Sequence, residues 1–299
     1  METGGKHSYL IGQTVVAARP LAGALYLVAT PIGNLADITL RALETLAAAD
    51  ILACEDTRVS RVLLERYGIR RRTIAYHEHN AAQAGPKLIA ALEAGKSVAL
   101  ISDAGTPLVS DPGYRLVGEA LDKGIRVVPV PGPSAALAAL TASGLPSDTF
   151  LFAGFPPTRA GQIRSRLESL KAVPATLIFF ESPRRLAETL AAMAETLGGE
   201  RRAAVGRELT KTFEETRTGT LAGLAAHYAA ADTPKGEIVV CVGPPLPVEQ
   251  SADAVDALLT SLARDMPASK AAAEAAKTTG QPKQALYRRL LELKDGPGG

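Results

Sequence analysis

The sequence predicts two α/β domains followed by a small helical domain. From Ala24 onward, short apolar runs alternate with segments of helical spacing, the pattern of strands feeding crossover helices. The alternation is interrupted by PGPSAA (131–136) and restarts near residue 145 with unrelated material. After the proline-rich PPLPVEQ (244–250), only helical spacing remains.

Taken in order, ALYLVA (24–29) predicts a strand and ITLRALETLAAAD (38–50) a helix. ILACE (51–55) is a strand, SRVLLERYG (60–68) a helix and TIAYH (73–77) a strand. A helix near 84–94, the strand SVALIS (97–102), a helix at 113–123 and the strand RVVPV (126–130) complete the first domain, with an Ala/Leu helix after PGPSAA. The second domain reads as the strand TFLFAGF (149–155), a basic helix near 160–171, the strand ATLIFFE (175–181), the helix RRLAETLAAMAETLG, and the strands RAAVGREL (202–209) and GEIVVCVG (236–243). In the first domain this alternation favours a largely parallel sheet with helices on both faces. The expected divisions are a disordered leader over 1–22, α/β domains at 23–143 and 144–243, a linker at 244–250 and a helical appendage at 251–295. In the appendage, PASKAAAEAAKTTG and PKQALYRRLLELK meet across Gly280 with Pro282 opening the second helix, the outline of a helix-turn-helix.

With 46% hydrophobic and 21% charged residues, the composition is that of a soluble globular protein. Net charge is only +2, from 33 basic and 31 acidic residues, so any nucleic-acid contact must come from local patches rather than bulk charge. Cys54 and Cys241 sit within apolar runs and are expected to be buried free thiols. The leader, interrupted by Gln13 and Arg19, makes a poor signal peptide, and no run reaches the ~18 apolar residues of a membrane span. A cytoplasmic location is expected.

Several loops stand out. VATPIGNLADIT (28–39) follows a strand and opens a helix, at the carboxyl edge where α/β sheets bind ligands. Pro31, Gly33, Asn34 and Asp37 would equally suit a plain turn and cap. ISDAGTPLVSDPGYRL (101–116) is longer than a turn requires, and offers the carboxylates of Asp103 and Asp111 with close backbone approach at Gly105 and Gly113. Ser134 begins a helix, where it can act as an N-cap while the amides of Ser134 and Ala135 face a ligand. IFFESPRRL (178–186) and RELTKTFEE (207–215) place Glu181, Arg184, Arg185, Glu208 and Lys211 at strand ends, as a solvated face or as one wall of a cleft. Gly95-Lys96-Ser97 leads into a strand and is no phosphate loop; no GxGxxG follows a strand; and His77-Glu78-His79 lacks partners at metal-ligand spacing, so no metal is expected.

TPIGNLADIT, EDTR (55–58), SDAGTPLVSDPG, VVPVPGPSA, GLPSD (144–148), FFES, RELTKT (207–212) and KGEIV (235–239) stand in an order that resembles the small-subunit ribosomal RNA cytidine 2′-O-methyltransferases, a branch of the tetrapyrrole methylase superfamily. The resemblance runs from about residue 24 to 293. Thr106 stands where the tetrapyrrole-modifying members carry Asp. It implies the tetrapyrrole methylase fold with S-adenosylmethionine held between the two α/β domains. By position, the donor should touch Pro31, Asp103, Gly105, Thr106, Val109, Ser134 and Ala135 from the first domain, and Phe180, Glu208 and Leu209 from the second.

The implied substrate is a cytidine in the decoding region of 16S ribosomal RNA, free or in the small ribosomal subunit, and the family commonly forms homodimers. A ribose hydroxyl is a poor nucleophile and gains from a base. Glu55, Asp56, Asp103 and Glu208 are the candidates, although Glu55 or Glu208 could instead pair with Arg58 or Lys211. Between Met266 and Lys294 six basic residues face two acidic ones, so Lys270, Lys277, Lys283, Arg288 and Arg289 are expected to grip RNA backbone, with Arg164, Arg166, Arg184 and Arg185 as further candidates. The alternatives are methylation of a tetrapyrrole precursor and a non-catalytic ribosome-binding factor.

Overall fold

A leader that is frayed in expectation proves to be folded. The computed structural model describes residues 7–109, 113–246 and 252–295. Strands β1 (Ser8–Ile11) and β2 (Thr14–Ala17) form an antiparallel hairpin around a two-residue turn at Gly12 and Gln13. Tyr9 is buried in the first core, and the Leu10 amide donates to the Tyr67 carbonyl at 2.8 Å. SYLI and TVVA are rich in β-branched and aromatic residues on either side of Gly12, the composition of a strand pair rather than of a targeting signal. The expected disorder is therefore corrected from residue 7 on; residues 1–6 lie outside the described part.

The first sheet joins β3 (Leu25–Val28), β4 (Ile51–Cys54), β5 (Thr73–Ala75), β6 (Val98–Ile101) and β7 (Val127–Val130) in the order β5-β4-β6-β3-β7, parallel throughout. Successive side chains leave a strand on opposite faces. Tyr26, Val28, Leu52 and Cys54 meet α1 (Leu40–Ala48) and α2 (Thr57–Arg66) on one side. Leu25, Ala53, Val98 and Leu100 meet α3 (Ala81–Glu93) and α4 (Tyr114–Asp122) on the other. Both faces are dry, which is why these strands read as unbroken apolar runs.

After α5 (Ala135–Ser143), the second sheet is built from β8 (Phe150–Gly154), β9 (Thr176–Glu181), β10 (Arg202–Arg207), β11 (Glu215–Thr220) and β12 (Ile238–Val242) in the order β11-β10-β12-β9-β8. Only β8 and β9 run parallel; the other pairings are antiparallel, unlike those of the first sheet. The element β11 and helix α8 (Leu221–Ala230) were not anticipated: ETRTGT is polar because it forms a sheet edge. Helices α6 (Ala160–Leu170), α7 (Leu186–Leu197) and α8 cover one face.

The other face is covered by α5, whose Ala136, Ala139 and Leu140 meet Ile178, Ala204 and Val239. The sequence parse gives α5 to the first domain, yet its packing belongs to the second sheet. Ile32 from the first lobe joins the same cluster. The two lobes accordingly form one unit, Met1–Pro244. Cys54 and Cys241 are buried and unbridged, and burial pushes the Cys241 thiol up to about 12.

The second unit is Pro245–Gly299. Residues 247–251, which include most of the expected linker, are outside the described part. Helices α9 (Ala252–Asp265), α10 (Ala268–Thr279) and α11 (Lys283–Asp295) enclose a core of Val255, Leu259, Ala271, Ala275, Leu286 and Leu290. Gly280 caps α10 ahead of Pro282, as the helix-turn-helix outline requires.

Candidate active site

A parallel sheet delivers every strand's following loop to one edge, and three such loops are stitched together here. Thr30, after β3, and Gly105, after β6, exchange backbone hydrogen bonds of 2.8 and 3.0 Å. Gly105 takes φ 79°, a conformation that glycine adopts without strain. The Thr106 hydroxyl donates to the Pro133 carbonyl at 3.3 Å, joining this loop to the one after β7. From the second lobe, antiparallel pairing sets the end of β9 beside the start of β12 (Phe180 opposite Val239), and the end of β10 beside it (Arg207 opposite Ile238). Among the described residues, the non-glycine positions with left-handed φ are Leu108, Glu208 and Thr210, all in these cleft loops. Each costs about 1–3 kcal/mol, so the surrounding structure holds them deliberately.

Two adjoining cavities lie between the lobes. The smaller, about 380 Å³, is lined by Gly105, Thr106, Val109, Ser134 and Ala135 from the first lobe, and by Phe155, Phe180, Glu181 and Gly236–Val239 from the second. Its size suits a small organic ligand. Ser134 occupies the N-cap position of α5, but its hydroxyl makes no capping bond, leaving the helix N-terminal amides to the cavity. Phe180 meets Phe152 and Phe155 edge to face at 4.8 and 5.6 Å, a rigid apolar wall. Glu181 is buried; its carboxylate accepts from the Ser182 amide (2.7 Å) and the Thr189 hydroxyl (2.5 Å), with Arg185 at 3.5 Å.

The larger cavity, about 580 Å³, shares Ile32, Ala104 and Glu237 with the smaller and is lined by Pro31, Gly33, Asp56, Arg58, Asp103 and Lys211. Asp103 accepts from the Asp56 amide at 2.9 Å. Asp56 caps α2 by accepting from the Arg58 amide (2.8 Å) and pairs with the same residue's guanidinium at 2.5 Å. That guanidinium holds the Asp56 carboxyl down at about 2. Lys211 lies between Glu208 (2.7 Å) and Glu237 (3.1 Å). Burial alone would lower its ammonium pKa, but the two carboxylates outweigh this and raise it, while the hydrogen bond from Lys211 lowers that of Glu208. A Cβ on Gly33 would stand 2.4 Å from Lys211 Cγ, so the two lobes touch here.

Of the expected donor contacts, Gly105, Thr106, Val109, Ser134, Ala135 and Phe180 line the smaller cavity, whereas Pro31 and Asp103 line the larger one. Glu55, Glu208 and Leu209 line neither: Glu208 is occupied as a partner of Lys211, and Leu209 is buried in the core under α5. Asp111 lies outside the described residues. Sequence reasoning missed Ile32, Ala104, Phe155 and Glu237 as lining residues. Glu237 had a signal, KGEIV, but one strand of sequence does not disclose which lysine it faces.

Among the expected RNA contacts, Arg289 is held by Asp256 (2.6 Å) and Glu292 (3.1 Å), and Lys277 by Glu274 (2.9 Å). Lys270, Lys283 and Arg288 are exposed. Arg185 is turned inward to the carbonyls of Pro156 and Pro157, and Arg164 pairs with Glu195 at 2.8 Å.

Residues 24–225 match the family of Tetrapyrrole (Corrin/Porphyrin) Methylases, and residues 249–294 match the RsmI C-terminal HTH domain. A Mesorhizobium japonicum protein named Ribosomal RNA small subunit methyltransferase I is 80% identical over 97% of this chain and 98% of its own. The chain belongs to the ribosomal RNA small subunit methyltransferase I family of tetrapyrrole methylases. A member from Pseudomonas aeruginosa is 50% identical over 91% of this chain and 98% of its own. The family's fold is seen in uroporphyrin-III-C-methyltransferase from Thermus thermophilus, at 23% identity and TM-score 0.53 over 74% of this chain and 94% of that one. A related crystal structure, of uroporphyrin-III C-methyltransferase from the same organism complexed with S-adenyl homocysteine, has TM-score 0.50 at 20% identity over 73% and 97%.

Proposed function

We propose that this chain transfers a methyl group from S-adenosylmethionine to RNA of the small ribosomal subunit, at the ribose 2′-hydroxyl of a cytidine in the decoding region of 16S ribosomal RNA. The observation that carries the reading is the pair of cavities sharing one wall. Six residues expected to seat the donor gather around the smaller, and a carboxylate lies on the larger, one residue from the shared Ala104. The full-length likeness to proteins named for small-subunit RNA methylation favours RNA over a tetrapyrrole.

The residues present fit the donor. The uncapped N-terminus of α5 offers amides to polar groups, the Phe155–Phe180 wall offers a face for a ring, and Gly105 lets backbone approach closely. When bound, S-adenosylmethionine supplies a methyl already activated by its sulfonium. The chain's own part is alignment and proton removal. Positioning the ribose oxygen in the larger cavity, toward the shared wall, can contribute at most ~7–11 kcal/mol. We assign the base to Asp103: among the four candidates, Glu55 and Glu208 lie off both cavities and Asp56 is committed to Arg58. Lys211, pinned by Glu208 and Glu237 and lying against Gly33, keeps the lobes in register.

The reading includes a cytoplasmic homodimer, checked by light scattering, and RNA contact by Lys270, Lys283 and Arg288, the expected appendage cations that have no ion pair among the described residues. Mapping ribose methylation in 16S ribosomal RNA from cells with and without the chain tests the function. A single cytidine losing its mark is expected. An unchanged map, with methyl transfer instead to a precorrin-type substrate, would transfer the assignment to the tetrapyrrole branch.

A further inference from the structure

Resting on the RNA-methylation reading, we propose that a groove on the first lobe, between α2 and the segment leading into β5, is a phosphate-binding track that holds the RNA strand beside the reaction cavity. The groove encloses about 610 Å³ and is lined by Arg58, Arg61, Arg70, Arg71 and Arg72, with Glu65 as its one acidic residue. Like charges at this density repel one another in the free protein, and a polyanion relieves that repulsion.

The arginines are not all committed internally. Arg71 donates to the Ala49 carbonyl and Arg58 pairs with Asp56 at 2.5 Å, while Arg61 reaches Glu65 only at 3.7 Å. Arg70 and Arg72 are exposed, and among the described residues neither has an ion-pair partner. Their planar donor forks suit phosphate oxygens.

Continuity with the chemistry is the second observation. Arg58 lines both this groove and the larger cavity, so one surface runs from the arginines to Asp103. Helix α2 separates two kinds of contact by its spacing. Arg61 falls on the groove side and Val59 and Val62, 44% and 59% exposed, line the cavity, with Arg58 on both. Cations beside an exposed apolar strip are what a strand with charged phosphates and flat bases needs. The net charge of +2 hides this, because the arginines are balanced by acids elsewhere.

The test uses the full chain with R70E/R72E and R70K/R72K substitutions. Binding to an unmodified 16S ribosomal RNA transcript is measured across a salt series, beside methyl transfer to small subunits and donor affinity by calorimetry. Because both side chains are exposed, donor affinity should stay at the parent value and report correct folding. R70E/R72E is expected to weaken RNA binding by at least ~10-fold and to make the salt slope shallower by about 1.4–1.8, the equivalent of two phosphate contacts, with the lysine pair restoring most of both. Unchanged affinity and slope, in a preparation whose parent chain methylates small subunits, would overturn the groove and leave the function standing. Loss of methyl transfer to subunits with no loss on the naked transcript would point to a ribosomal protein as the occupant and overturn it too. A parent chain that neither binds the transcript nor methylates subunits would remove the functional reading and the groove together.

Discussion

Asp103 stands at the end of a buried strand, with one oxygen fixed by the Asp56 amide at 2.9 Å, so its carboxylate is oriented before any substrate arrives. Asp103→Asn keeps the shape and removes the proton acceptor. It should lower kcat by about 10²- to 10⁴-fold while leaving donor affinity, read by calorimetry, within experimental error. A matching loss of donor affinity would show that Asp103 belongs to the donor's seat rather than to proton transfer. Its neighbour Asp56 makes a separate, pH-dependent claim. Its folded pKa lies near 2 against an ordinary 3.8, so the anion stabilises the fold above about pH 3.8, and that contribution fades as pH falls toward 2. In urea melts, Asp56→Asn should be less stable than the parent at pH 7, and the gap should narrow from about pH 4 downward. A gap independent of pH would mean that the pairing with Arg58 contributes nothing. The 101–116 segment was legible as a ligand loop from its length, whereas the individual donor contacts rested on the family resemblance, because glycine, proline and serine at strand ends equally suit turns and caps. The Lys211–Glu208–Glu237 arrangement was not legible, because it brings together residues flanking two strands, β10 and β12, of a sheet whose order the sequence does not state.

At the scale of elements, strands buried on both faces announced themselves as apolar runs, and the first sheet follows them closely. The second sheet was legible as strands but not as a topology. The same alternation of apolar runs and helices serves parallel and antiparallel neighbours alike, and the polar edge strand β11 carries no apolar signal. Helix α5 shows the same limit. Its AALAALTAS is apolar almost all round, which says that it is buried but not against which sheet. Its small residues let it lie close on the second sheet while its N-terminus opens into the smaller cavity. Ala139→Leu should therefore act twice. Overpacking against Ile178 and Val239 should cost about 1–3 kcal/mol in denaturant melts, and displacement of the Ser134 and Ala135 amides should weaken donor binding. Leu137→Ala, at a position 48% exposed on the same helix, should change stability by no more than about 0.5 kcal/mol and leave donor binding alone. Equal effects from the two substitutions would deny α5 its role in shaping the cavity.

Across the whole molecule, the paired cavities and the helical appendage belong to separate units with separate cores, and that separation can be used experimentally. Every residue lining the two cavities lies before Pro244, while the appendage closes its own core through α9, α10 and α11. Ending the chain after residue 249 should then leave the donor affinity and the melting of the main unit unchanged. If the appendage contributes phosphate contacts, the truncated chain should bind 16S ribosomal RNA less tightly and with a shallower salt slope. Each lost contact should reduce that slope by about 0.7–0.9. Lys270, Lys283 and Arg288 are the positions to test first, since Arg289 and Lys277 already face carboxylates. Charge reversal at those three positions in the full chain should reproduce most of the truncation's change in slope. Truncation that alters RNA binding when reversal does not would assign the appendage a role in shape or assembly instead. The arginine groove on the first lobe should retain its own share of the salt dependence in the truncated chain, because it lies wholly within the main unit.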